Sequence, residues 1–238
     1  MTKKAVLIIH GFRSNLSEIK YLADTIKLST KFDVFTYTLP GHGNHLLKKV
    51  KYIDWINYSE EMLNTLKKGY DSIYIIGHSM GGVIATYLAS KNKEVEKIVL
   101  VAPSFKYFEF YDNINVVKEK LKDTIKDKKK YLELSNRVLN YPISNIIEFR
   151  KLIKKYYDSP LEVDCSVLII HGTKDIVVPI SSSEYVLNSV KSKNKHLKTV
   201  KDADHSILYD YKKEQTAKYI SNYLRGGIIW IITKNLNI

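Results

Sequence analysis

Short apolar runs rich in β-branched residues alternate along the chain with stretches whose apolar positions recur at helical spacing. The runs Ala5–Ile9, Asp33–Tyr37, Ser72–Ile76, Lys97–Val101, Ser166–Ile170 and His196–Val200 read as strands. Helical patterns lie between most of them, at Leu16–Leu28, Ile53–Lys68, Gly82–Lys91 and Ser182–Ser189. In the second of these, Trp55, Tyr58, Met62 and Leu66 share one face; a last pattern, Tyr211–Leu224, aligns Ala217, Ile220 and Leu224. Strands alternating with helices predict right-handed βαβ units and a mostly parallel sheet with helices on both faces.

One interval breaks the rhythm. From about Ser104 to Pro160 no strand is legible, only helical patterns: Ile114, Val117, Leu121 and Ile125 in one, Ile146, Phe149, Ile153 and Tyr156 in another. Asn145 and Glu148 have the spacing of an N-terminal capping box for the second. The expected organisation is therefore a core of residues 1–103 and 161–225, with residues 104–160 as a helical cap. Such a cap would lie over the carboxyl ends of the strands, where open α/β sheets bind ligands. Residues 226–238 form a tail around the apolar run Ile228–Ile232, too short to cross a bilayer. An added edge strand, a self-association surface and a peripheral membrane contact are the three readings of it.

Composition narrows the classes. A chain of 238 residues without a Pro/Gly/Ser-rich linker fits one sizeable domain. The net charge of +13 comes from 38 Lys and Arg against 25 Asp and Glu. Those lysines are spread along the chain among acids, and no nucleic-acid-binding module accompanies them, so the excess reads as a solvated surface and no nucleic-acid partner is expected. Met1–Lys4 runs straight into the first strand, which leaves no room for a secretory leader, and the one cysteine, Cys165, opens a buried strand. A cytosolic, reducing setting is the expectation.

The chemistry enters at Gly77-His78-Ser79-Met80-Gly81, set where the run Ile73–Ile76 stops and a helical pattern begins. G-x-S-x-G in a strand–turn–helix context is a nucleophile elbow: the turn is so tight that side chains two residues either side of the serine would collide. The pentapeptide alone is a weak signal, and partners must carry it. A serine hydroxyl needs a base to take its proton, usually a histidine oriented by a carboxylate, and in this class the chain order is Ser, Asp or Glu, His. Of seven histidines, His10, His42, His45 and His78 precede or adjoin the serine, His171 precedes the best acid, and His196 starts the last strand at the wrong end. His205 remains, on the loop that leaves that strand. Asp175, in the loop after Ser166–Ile170, is the expected acid, with Asp202 and Asp204 as substitutes. The oxyanion donors are expected to be the backbone N–H of Met80 and that of Phe12, in the loop after the first strand. Phe12, Arg13, His42 and His78 are the candidate substrate contacts. No H-E-x-x-H and no paired cysteines occur, so no metal site is expected.

His-Gly-Phe at 10–12, Gly-His-Gly at 41–43, Gly-His-Ser-Met-Gly-Gly at 77–82, Gly-Thr-Lys-Asp at 172–175 and Asp-His at 204–205 resemble the α/β-hydrolase superfamily. Within it the chain is most similar to small bacterial carboxylesterases and monoacylglycerol lipases, from about Ala5 to Leu224. The resemblance implies Ser79, Asp175 and His205 as a triad, Phe12 and Met80 as the oxyanion hole, a lid at the helical interval, and cofactor-free hydrolysis through an acyl-enzyme. The late start departs from larger members, whose first antiparallel strands have no counterpart, and the tail has none in the family.

The function expected is a serine esterase acting on a small-molecule ester or acyl lipid. A second reading keeps the triad for a thioesterase, acyltransferase, lyase or C–C hydrolase, with Arg13 holding a substrate carboxylate. A third is a non-catalytic binding protein of the same fold.

Overall fold

A computed structural model describes residues 2–43, 49–107 and 143–227 of the chain. All six apolar runs form strands: β1 (Lys4–Ile9), β2 (Asp33–Thr36), β3 (Ser72–His78), β4 (Val95–Val101), β5 (Ser166–Gly172) and β6 (Lys195–Val200). They make one sheet in the order β2-β1-β3-β4-β5-β6, every pairing parallel. The chain moves outward from β1 to β2 and then crosses back to β3. That reversal creates a switch point between β1 and β3, where the carboxyl ends of a parallel sheet open a crevice.

The period of two along each strand sorts the core into two layers. Ala5, Leu7 and Ile9 share a face with Ile73, Ile75, Ile98, Leu100, Val167 and Ile169. Onto that face pack Trp55, Ile56 and Leu63 of α2 (Tyr52–Lys67), Val83 and Ile84 of α3 (Met80–Lys91), Phe149 and Leu152 of α4 (Ile143–Tyr156) and Val186 of α5 (Ile180–Ser189). Val6, Ile8, Tyr74, Ile76, Val99, Val101, Leu168 and Ile170 point the other way. Ile19, Leu22 and Ile26 of α1 (Leu16–Ser29) cover them, with Ala217, Ile220 and Leu224 of α6 (Lys213–Leu224). Sandwiched between the sheet and α2 and α4, α3 buries nine of its twelve residues, which is why its sequence has no polar stripe.

Element ends differ from expectation by a residue or two, and β3 and β5 run on to His78 and Gly172. One difference is chemical. Asn145 and Glu148 do not cap α4, because the helix already starts at Ile143 and Asn145 is fully buried inside its first turn. Glu148 instead accepts a hydrogen bond from the Tyr52 N–H at 3.0 Å and pairs with Lys151 at 2.6 Å, tying α4 to the start of α2. The helical pattern through Ile114–Ile125 and the tail run Ile228–Ile232 lie outside the described residues. No helix among the described residues is long and apolar enough to cross a membrane.

Candidate active site

Ser79 stands between β3 and α3 with φ 55° and ψ −115°, a conformation costly for any residue with a side chain. Two glycines make the turn feasible. A Cβ at Gly77 would sit 2.2 Å from the Gly81 carbonyl oxygen, and one at Gly81 would sit 2.3 Å from that of Ile9. The elbow is therefore closed backbone against backbone, with the Ser79 N–H donating to the Val101 carbonyl at 2.9 Å. Met80 opens α3, so its N–H is among those that a helix start leaves without an intrahelical acceptor.

The loop after β1 lies against the serine: a Cβ on Gly11 would come within 3.2 Å of the Ser79 Cβ. Phe12 follows, its ring stacked on Phe149 of α4 with centroids 4.7 Å apart and edge-on to Trp55 and His42. Arg13 takes a left-handed φ of 62° at the turn. Phe12 and Arg13 thus border the crevice from the β1 side.

Asp175 and His205 come from loops after β5 and β6 and meet. The His205 Nδ1–H donates to Asp175 Oδ2 at 2.7 Å, while Oδ1 accepts the N–H groups of Val177 and Val178 at 2.8 and 2.9 Å. Gly172 permits the meeting, since a Cβ there would lie 2.3 Å from the Ala203 carbonyl oxygen. The Thr173 and Lys174 N–H groups donate to Val200 and Ala203, closing the two loops on each other. Asp202 is turned away: its carboxylate pairs with Lys174 at 2.8 Å.

Burial pushes the Asp175 carboxyl up, but the His205 charge and hydrogen bond, the His171 ring and the Val178 N–H together hold it below the ordinary carboxylate range. Burial likewise acts to lower His205. The Asp175 charge and hydrogen bond, with the charges of Asp204 and Glu18, outweigh it and raise the imidazole above its ordinary value. This imidazole is poised to carry a proton, and its side chain keeps 15 % of its surface exposed. The Ser79 Oγ hydrogen-bonds to Ser104 Oγ at 2.9 Å rather than to His205.

His42 and His78, nominated as substrate contacts, are 1 % and 2 % exposed, each with one ring nitrogen bonded to the protein and the other, His42 Nε2 and His78 Nδ1, buried without a hydrogen-bond partner among the described residues. His78 lies 4.9 Å from the His205 ring, and its Nε2–H donates to the His205 carbonyl at 3.1 Å. The His42 ring packs against His10, Phe12 and Trp55, and its Nδ1–H donates to the Pro40 carbonyl at 3.0 Å. Burial, then the neighbouring His205 charge, lowers His78 to about 3, and burial lowers His42 to about 4. They support the loops that form the site.

Sequence reasoning passed over two further histidines. The His10 Nε2 accepts the Leu39 N–H at 3.0 Å, pinning the loop after β2, and burial lowers its pKa to about 4. The His171 Nε2–H donates to the Val178 carbonyl at 3.0 Å, and its Nδ1 accepts from the Ser183 hydroxyl at 2.7 Å. A signal was present: both histidines stand in a His-Gly pair at the end of an apolar strand, where the backbone turns.

A parallel sheet with this crossover, a strained serine between β3 and α3, and an Asp–His pair on the last two strand exits define an α/β hydrolase. The chain belongs to the family described as serine aminopeptidase, S33 (Hydrolase_4), which matches residues 1–161 and 144–212. It is similar to a thermostable monoacylglycerol lipase of Bacillus sp. (strain H-257), 23% identical over 211 residues that cover 87% of this chain and 84% of that protein. Among solved structures it resembles a metagenome-derived lipolytic enzyme with a TM-score of 0.76, at 19% identity and 94% coverage of both chains. The monoacylglycerol lipase of Paleococcus ferrophilus superposes with a TM-score of 0.70, at 16% identity, covering 93% of this chain and 94% of its own. At such identities the likeness to the solved structures establishes the shared fold.

Proposed function

We propose that the protein hydrolyses carboxylic esters, of a small molecule or an acyl lipid, through an acyl-enzyme on Ser79. The observation that carries this reading is the Asp175–His205 hydrogen bond of 2.7 Å, assembled from two separate strand exits beside a serine that the elbow holds at φ 55°. In the reaction the Ser79 oxygen attacks the ester carbonyl as His205 takes its proton. The N–H groups of Met80 and Phe12 receive the developing oxyanion, and protonated His205 gives its proton to the departing alcohol. A water activated by His205 then releases the acid. Asp175 keeps the imidazole in the Nδ1–H tautomer and stabilises its charged form.

Ester rather than amide cleavage is favoured by the lipase relative at 87% coverage of this chain. The apolar ring wall of Phe12, Phe149 and Tyr107 suits an acyl chain. We further propose that residues 104–160 act together as a cap over the strand ends, in support of which α4 packs its Phe149 on Phe12 beside the serine, and that the enzyme works in the cytosol. The second proposal is supported by the single cysteine, Cys165, which leaves no intramolecular disulfide possible.

Initial rates on p-nitrophenyl esters from acetate to palmitate, with Ser79→Ala alongside, test the reading. The wild type is expected to show a chain-length optimum and the variant to lose at least about 10⁴-fold in kcat. Faster turnover of aminoacyl p-nitroanilides than of any ester would move the conclusion to peptidase chemistry. Equal rates for both proteins would remove Ser79 from the mechanism.

A further inference from the structure

The group that the structure sets against the Ser79 Oγ is the hydroxyl of Ser104, 2.9 Å away and fully buried. Its position is determined from several sides. The Ser104 N–H donates to the Ser79 carbonyl at 3.3 Å, and Ala102, at φ 45°, donates its own N–H to Ile170 at 2.8 Å. The Pro103 carbonyl accepts the Ser182 hydroxyl at 2.5 Å, and the Lys106 N–H donates to the same hydroxyl at 3.1 Å. The exit of β4 is thereby tied to the elbow, to β5 and to the first turn of α5.

We propose that Ser104 is a further catalytic residue, whose hydroxyl donates to the Ser79 oxygen and speeds departure of the acyl group from it. The inference rests on the serine-hydrolase reading of the site. The Ser79 proton must leave toward His205, so in the reactive arrangement the hydrogen between the two serines belongs to Ser104. A free hydroxyl or alkoxide oxygen is a strong acceptor. The same oxygen in an ester, with its lone pair drawn into the carbonyl, is a weak one.

The Ser104 hydrogen bond therefore favours free Ser79 over acyl-Ser79. In deacylation, water adds to the acyl carbon as His205 takes its proton. The carbonyl then re-forms, the bond from the acyl carbon to Ser79 Oγ breaks, its electron pair passes to Oγ, and protonated His205 returns the proton to that oxygen. The hydrogen bond from Ser104 strengthens as charge gathers on Oγ, and Ser104 exchanges no proton. In acylation the bond is present in free Ser79 and still present at the transition state, where Oγ is only part-bonded to the acyl carbon, and it is lost only in the finished ester, so its removal leaves the first half of the reaction unchanged.

Stopped-flow hydrolysis of p-nitrophenyl butyrate by wild type, Ser104→Ala and Ser104→Thr tests this, with rates normalised to sites that a fluorophosphonate labels. For Ser104→Ala, kcat is expected to fall about three- to tenfold, the size of one hydrogen bond. KM should fall in step, kcat/KM should hold, and a burst approaching one p-nitrophenol per labelled site should appear. Acid quenching and mass spectrometry should find the alanine variant mostly acylated during turnover, and threonine, which keeps the hydroxyl, should restore kcat. Normalisation keeps the comparison valid if part of a variant is misfolded.

A fall in kcat/KM at constant KM would overturn the proposal, since Ser104 would then serve only the geometry of attack. A rise in kcat/KM would overturn it too, because Ser104 would then be restraining Ser79. An acyl adduct in both proteins with equal deacylation rates sinks the role of Ser104 alone. No adduct and no fluorophosphonate labelling of Ser79 in either sinks the reading of the site.

Discussion

Where the elbow meets β1, a side chain on Gly81 would start 2.3 Å from the Ile9 carbonyl oxygen, whereas α4 meets the same crevice through rings, Phe149 lying on Phe12 with centroids 4.7 Å apart. The floor is backbone against backbone and carries Ser79, and the loops bearing Asp175 and His205 are closed the same way at Gly172. The roof is side chain against side chain, held by Phe149, Leu152 and the Glu148 carboxylate on the Tyr52 N–H. Contacts of the first kind have no slack, and those of the second can repack. On the proposed function the floor holds reacting groups, which tolerate misplacement of a fraction of an ångström and no more, while the roof lines an acyl site, which needs only to be apolar and roughly shaped. The difference predicts that substitutions in the floor abolish function and those in the roof tune it.

The largest effect is expected at Gly77. Alanine there puts a methyl 2.2 Å from the Gly81 oxygen, so the elbow must open or the strand must shift. Gly77→Ala should cost about 4 kcal/mol or more in urea unfolding, together with all labelling of Ser79. Retention of wild-type stability would show that the floor has slack after all.

Next comes the acid. Asp175→Asn keeps an oxygen for the Val177 and Val178 N–H groups, so the loop should stand. It presents His205 with a neutral partner, and kcat should drop by about 10⁴. Because Asp175 raises His205, the acid limb of kcat/KM should inflect above 6.5 in the wild type and at lower pH in the residual activity of the variant. A limb that does not move would separate the measured ionisation from His205.

The floor also sets a pH window for folding. His10, His42 and His78 ionise near 4, 4 and 3 when folded and near 6.5 when not, so the unfolded chain takes up protons first as pH falls. The stability they confer is complete above 6.5 and is lost toward 4 and then 3, on the order of 3 kcal/mol each for His10 and His42 and somewhat more for His78. The lowered Asp175 carboxyl loses its contribution on acidification too, through a range below the ordinary carboxylate value. His205, raised, contributes fully below 6.5 and loses that as pH rises through its folded pKa. Three histidines, with His171 also lowered by burial, outweigh one, so calorimetry should find Tm falling from pH 7 to 4.5. His42→Phe should flatten the fall, and an unchanged slope would mean that His42 is not the buried neutral ring described.

The sheet and the elbow were legible in the sequence because their constraints are local: short continuous runs of apolar, β-branched residues, as in strands buried on both faces, and glycines two residues either side of one serine. Chain order and topology singled out His205 among seven histidines as the expected base, and the structure sets its ring 2.7 Å from Asp175. Ser104 was not legible. It reaches Ser79 across 25 residues, through a strap whose placement depends on Ser182, 79 residues beyond Pro103. Asn145 misled for a related reason: its type and spacing are those of a cap, but packing carried the helix back to Ile143 and drew the side chain inside. Local polar signals mark helix starts only where the segment faces water.

The smallest effect should come from the roof. Phe149 is 1 % exposed and touches Phe12 and Tyr107, with ring pairs of the kind worth about 0.5–1.5 kcal/mol beyond burial. Phe149→Leu keeps an apolar group of smaller volume, so Tm should fall by a few degrees. Because no group that moves a proton is displaced, kcat should stay within about twofold while KM for the longer esters changes several-fold. The contrast with Gly77→Ala is the point of the measurement. A fall in kcat comparable to that of Asp175→Asn would mean that α4 positions the Phe12 N–H through its ring, and that roof and floor form one rigid unit.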